Sequence, residues 1–221
     1  MFLRYRLSAV CALILTSLLL APAPASAQTA TQFGVQGGLN VANVDFKPAA
    51  DEEEFNPDFK SRNRGVFGAF VAWDFNPKFG LQIDALYSQK GTKFDQSFEE
   101  DGETFDFSFE ASADYFEFPI LLRANVPASD AVKFRVFSGP AFGFKVSDDV
   151  TQTFNGVEDT EGRPEFKSSD VSWVAGAAIQ FGQVFFDVRY SWGLTNIIKD
   201  AEEGEEVKTR TLGFMVGFQI K

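Results

Sequence analysis

FDVRYSWGLTNI, residues 186–197, interleaves two lists. Phe186, Val188, Tyr190, Trp192 and Leu194 are apolar or aromatic, whereas Asp187, Arg189, Ser191, Gly193 and Thr195 are polar or small. Successive side chains of a strand point to opposite faces, so strict alternation reads as a strand. The fold turns on where each face points. A soluble sheet buries its apolar face, but a sheet closed around a polar interior inside a bilayer turns that face outward.

Seven further runs alternate in the same way. Residues 32–43 set Phe33, Val35, Leu39 and Val41 against Gln32, Gln36 and Asn40. Residues 65–75 align Phe67, Val71, Trp73 and Phe75. Residues 79–91 align Phe79, Leu81, Ile83 and Tyr87 against Gln82, Asp84, Ser88 and Lys90. The fourth run, 105–126, changes parity: odd positions are aromatic from 105 to 109, then Phe116, Phe118, Ile120 and Leu122 take the even ones. Either a bulge near 113–115 or an upper segment outside the membrane, where facing is relaxed, accounts for the switch. Residues 133–146, 170–182 and 211–221 complete a set of eight strands.

The connections sort by length. Those after the second, fourth and sixth strands are short: Asn-Pro-Lys at 76–78, the stretch 126–131, and Gly-Gln at 182–183. Those at 44–64, 95–104, 147–169 and 199–207 are long, polar and acidic. Short turns at one end and long loops at the other, with an even strand count, describe an eight-stranded antiparallel up-and-down transmembrane β-barrel. A soluble lipocalin-like barrel shares the strand number but has no use for this asymmetry.

The first residues point the same way. Arg4 and Arg6 precede an apolar run over 7–20, and Ala25-Ser26-Ala27 supplies an A-x-A cleavage site. The run is short for a membrane-spanning helix, so residues 1–27 are expected to be a signal peptide and 28–221 the barrel domain. Beyond residue 27 no cysteine and no histidine occur, and 18 basic residues face 31 acidic ones, a net of −13. That balance argues against nucleic acid as a partner.

With the apolar face outward, Tyr87, Trp173, Tyr190 and Trp192 fall near the long-loop end. Trp73, Phe75, Phe79, Phe134 and Phe181 flank the short turns. Two aromatic girdles suit two membrane interfaces. The reverse orientation would place Arg189 in hydrocarbon, where an arginine near the midplane costs roughly 2–4 kcal/mol. The inward list then holds the acids Asp84, Glu117 and Asp187 and the bases Lys90, Arg123, Arg135, Lys145 and Arg189. Eight strands leave room mainly for side chains, so this network is expected to plug the lumen. The alternative is a narrow passive channel gated by the same charges.

GLQIDALYSQKG, YFEFPILLRANV, FSGPAFGF and FDVRYSWGLTNI, taken in order, resemble the recurring motifs of the Bacteroidetes-type outer-membrane β-barrel family, often labelled the porin or PorT family. The resemblance spans residues 32–221 and implies an eight-stranded barrel in the cell outer membrane. One member type, PorT, belongs to a protein secretion system, which makes a secretion component a further alternative.

Catalysis is not expected, since histidine-assisted chemistry lacks its imidazole. The acidic runs at 51–54, 99–103 and 202–206 lack the spacing of a calcium loop and read as solvated. No metal and no cofactor are expected. The expected partners are outer-membrane lipid and lipopolysaccharide, with an envelope or secretion protein as a further possibility, around a monomeric barrel.

Overall fold

In the computed structural model, which describes residues 31–49, 59–100, 103–129, 132–159, 165–199, 201 and 203–220, alternation has become nine antiparallel strands. They are β1 (Thr31–Lys47), β2 (Lys60–Asp74), β3 (Phe79–Glu100), β4 (Glu103–Pro127), β5 (Val132–Phe154), β6 (Val157–Asp159), β7 (Ser169–Phe181), β8 (Val184–Gly193) and β9 (Glu206–Ile220). Each long strand pairs with its sequence neighbours, β1 pairs with β9, and β4 with β5, so eight of them close into a ring. The ninth, β6, pairs only with the outer end of β5 and stands outside the ring. Closure removes every sheet edge from the ring, as a wall inside lipid requires. The proposed signal peptide, 1–27, lies outside the described residues.

The two lists in 186–197 separate as their alternation requires. Phe186, Val188 and Trp192 are exposed on the outside, and Asp187 and Arg189 are buried within. The strand is shorter than the alternation suggests, because β8 ends at Gly193. Beyond it the Thr195 hydroxyl accepts a hydrogen bond from the Val171 amide and donates one to Asp170.

Three of the four long connections are much shorter as loops than the sequence suggests. β3, β4 and β5 run for 22, 25 and 23 residues, against the roughly 9–11 that cross a bilayer. Their outer ends form a sheet projecting past the rim, so much of 95–104 and 147–159 is strand rather than loop. The parity change in 105–126 is explained by this projection. The inward positions of β4 are odd throughout: Ala111, Tyr115, Leu121 and Arg123 are all buried. An irregular register does lie at this level, between Asp114 and Tyr115. The extra residue belongs to β5, where Lys145 pairs with Tyr115, Ser147 with Asp114, and Val146 is left between them.

The interior also holds rings that simple alternation assigns no special place. Phe70, Phe137 and Phe185 are buried inside the ring beside Leu121, Leu86 and Met215. Two glycines make room for them. A Cβ at Gly217 would collide with the Phe185 ring, and one at Gly176 with the Phe137 ring. A bare backbone on the opposing strand is what lets a phenyl ring lie flat in so narrow a barrel.

Candidate functional site

The inward side chains form three levels along the barrel. At the short-turn end, Arg123 on β4 donates to Asp74 at 2.8 Å, to Gln82 at 3.2 Å and to Gln32 at 3.3 Å. Asp74 also accepts from Gln32 at 2.6 Å and Asn125 at 3.0 Å. Arg135 on β5 donates to Gln180 at 2.6 Å, and its guanidinium sits 5.9 Å from the centre of the Phe185 ring. Among the described residues no carboxylate lies within ion-pair distance of Arg135, which is held instead by amide oxygens and an aromatic face.

At the middle level Arg189 is the centre. Its Nε and one terminal nitrogen grip both oxygens of Asp187 at 2.9 and 2.7 Å. Its other terminal nitrogen reaches Asp84 at 2.8 Å. Asp84 also accepts from Gln82 at 2.6 Å, and the Phe137 ring lies 5.2 Å from the guanidinium carbon. β3 and β8 stand four places apart in the ring of eight, so the bond from Arg189 to Asp84 crosses the full width of the lumen.

The outer level is built on Lys90, whose Nζ lies 2.6 Å from Glu117 and 3.7 Å from Asp170. Asp170 accepts from the hydroxyls of Thr195 and Thr209 at 2.8 and 2.9 Å. Asn40 donates to Ser88 at 2.9 Å. Buried charges survive in a low-dielectric interior when they are paired, and at this level the Lys90 ammonium is matched by the two carboxylates. Between the middle and outer levels remains a void of about 30 Å³, close to the volume one water occupies. Above the outer level the mouth widens to a cavity of about 400 Å³.

Seven of the eight inward charges expected from the sequence therefore belong to these levels: Asp84, Lys90, Glu117, Arg123, Arg135, Asp187 and Arg189. Lys145 stands apart at the rim, paired with Asp148 at 2.8 Å and donating to the Phe166 carbonyl at 3.0 Å. Sequence reasoning missed Asp74 and Asp170, each half of an ion pair. Asp74 adjoins the turn at 76–78 and reads as part of it. Asp170 was legible in principle, since it opens a run in which Ser172 takes the same parity. Of the acidic runs, 51–54 lies outside the described residues, and among the described residues no cluster of three potential ligands gathers.

The aromatic residues follow the outward face. Phe75, Phe79, Phe134 and Phe181 are exposed at the short-turn end, with Trp73 half-buried beside them. Trp173 and Trp192 are cross-strand partners near the other end. Tyr190 packs on Trp192 at 4.8 Å, and the Tyr87 hydroxyl donates to Asp114 at 2.6 Å. Between the two sets the large exposed side chains include Val35, Leu39, Leu122, Val136, Val188 and Phe214.

Solved structures similar in fold include the attachment invasion locus protein Ail of Yersinia pestis, at 16% identity over 86% of this chain and 98% of that one, TM-score 0.40. OprG of Pseudomonas aeruginosa aligns at 11% identity over 87% and 97% of the two chains, TM-score 0.47. The outer membrane protease OmpT of Escherichia coli aligns at 9% identity over 88% and 97%, TM-score 0.39. None of these likenesses speaks to activity. No curated protein matches in sequence. The outer membrane protein beta-barrel domain, as a family, matches residues 26–199. The chain therefore belongs to that family and is a protein of the outer membrane.

Proposed function

We propose that this outer-membrane barrel keeps its lumen closed with its own side chains and works through its outer surface, as a structural or surface-interaction protein. The bond from Arg189 to Asp84 carries this reading, because it ties opposite walls together at 2.8 Å. Phe70 on β2 and Phe185 on β8, 5.6 Å apart and edge-to-face, bring a second pair of non-neighbouring strands together across the interior. A hydrated ion would have to break a buried, doubly paired guanidinium to pass, and removing one partner of such a pair is costly. The contacts on this reading are lipid and lipopolysaccharide around the barrel, with envelope proteins meeting the projecting ends of β3, β4 and β5.

Single-channel recording in a planar bilayer tests it. The closed lumen predicts no stable conductance from the wild-type protein, and a steady open level would sink the proposal in favour of passive transport. A mild-detergent pull-down from native membranes tests the outer surface. A stoichiometric partner from secretion machinery would make this a PorT-like component, whereas the barrel recovered alone would favour a stand-alone surface protein.

A further inference from the structure

The cavity of about 400 Å³ at the outer mouth plays no part in closing the lumen. We propose that it binds one small, uncharged, largely apolar or aromatic molecule bearing a single polar end. Its volume lies within the range of small-molecule sites, roughly 300–1,000 Å³.

The wall is aromatic and aliphatic, with Phe46, Phe59, Phe109, Phe166, Ile197 and Val207 among its lining residues. Phe59 already meets Phe46 at 5.9 Å and Phe109 at 6.3 Å, both rings inclined to it. That leaves ring faces and edges for a planar guest in the offset or edge-to-face geometry aromatic pairs prefer.

The polar groups set the guest's charge. The lining holds one ammonium, Lys90, and one carboxylate, Glu205. The Lys90 ammonium is matched from below by Glu117 and Asp170. An ion entering the cavity would lose its water without meeting an uncompensated counter-charge, which disfavours both signs. Among the buried polar side chains of the lining, Thr92 donates to Asn43 at 3.0 Å and Thr209 to Asp170 at 2.9 Å. Tyr115 differs. It is 1% exposed, lines the cavity, and no described residue hydrogen-bonds its hydroxyl. As a lining side chain, it is the group placed to pair with the guest's polar end.

Three indoles with one ring system and comparable side chains separate the possibilities: tryptophol, neutral with a hydroxyl end, tryptamine, a cation, and indole-3-acetate, an anion. Each is titrated calorimetrically into the full chain in lipid nanodiscs, with empty discs subtracted. Tryptophol is expected to bind saturably, one per barrel, with both charged analogues weaker on the order of tenfold, a factor that a modest uncompensated desolvation produces. Tyr115→Phe should weaken tryptophol several-fold, and Ala111→Phe, which fills the cavity from β4, should abolish binding. No saturable binding above empty discs would overturn the proposal, as would equal affinity for the charged analogues. If Ala111→Phe fails to fold, Tyr115→Phe still decides, since unchanged affinity in that variant overturns the role assigned to the hydroxyl.

Discussion

The lumen and the projecting sheet are made by the same strands on the same face, yet they are held by opposite chemistry. Along the inward face of β3, Gln82, Asp84, Ser88, Lys90 and Thr92 give way to Phe94 and Phe98. Along β4, Arg123 and Glu117 give way to Phe109, Phe107 and Phe105. The outward face changes in the reverse sense. Leu81, Ile83 and Tyr87 are followed by Gln89, Lys93, Asp95 and Ser97, and Phe118 and Phe116 by Asp114, Glu110, Ser108 and Asp106. The inversion falls where Tyr87 meets Asp114. Below it the surroundings are lipid, and above it they are water. The strands keep their parity while the solvent changes sides, so hydrophobicity changes face.

The bonding follows. Inside the ring Arg189 reaches across the lumen to Asp84. Past the rim neighbours stack side by side: Phe98 on Phe105 at 5.5 Å and Phe105 on Phe154 at 5.9 Å. On the outer face of the projection, Ser97 donates to Asp106 at 2.6 Å, Ser108 to Asp95 at 2.9 Å, and Lys93 bridges Asp95 and Glu110.

The sharpest way to break this comparison is to unpair the lumen. Arg189→Met leaves Asp84 and Asp187 buried without their cation and should cost about 3–5 kcal/mol, read from urea unfolding in lipid vesicles. A loss under about 1 kcal/mol, within the ordinary range of point substitutions, would show that the cross-lumen pair is not structural. The next test places one arginine on each side of the boundary. Val188→Arg, outward on β8, should cost roughly 2–4 kcal/mol if it lies near the bilayer midplane. Ser97→Arg, outward on the projection, should stay within about 0.5 kcal/mol. Equal costs would mean that the membrane boundary is misplaced. A smaller effect is expected from the aromatic ladder. Phe105→Ala removes two ring contacts worth roughly 0.5–1.5 kcal/mol each beyond area burial. It should speed amide exchange in the outer ends of β3, β4 and β5 while leaving the urea midpoint of the barrel unchanged.

How much of this could be read from the chain depended on whether a residue's neighbours in sequence reported its surroundings. Strand number, ring closure and the facing of 186–197 were legible, because lipid outside and side chains inside enforce a period of two. Seven of the eight lumen charges were legible for the same reason. The outer halves of β3, β4 and β5 were not, because Asp, Glu and Ser on a water-facing strand look the same as they do in a loop. Nor was the pairing within the lumen. Nothing near Arg189 announces Asp84, 105 positions away, and only closure of the ring brings them together. Phe185 was hidden differently: its inward place depends on Gly217, a residue of another strand.

The weakest link tested lies at the outer ends of β7 and β8, where the segment around Phe166 meets the segment around Ile198. The Lys199 ammonium donates to Glu165 at 2.7 Å, and this bond holds the Glu165 carboxyl below the usual carboxylate range. A depressed folded pKa means that the tether's contribution is complete above the unfolded value and lost as pH falls through the folded one. Both groups are exposed, so the effect is local and small. Amide exchange at Lys199, which donates to the Glu165 carbonyl, and at Lys167, which donates to that of Ile197, should therefore rise on acidification after correction for intrinsic rates. Glu165→Gln should remove that pH dependence. If the dependence persists in the variant, the paired backbone alone holds these segments together and the ion pair only decorates it.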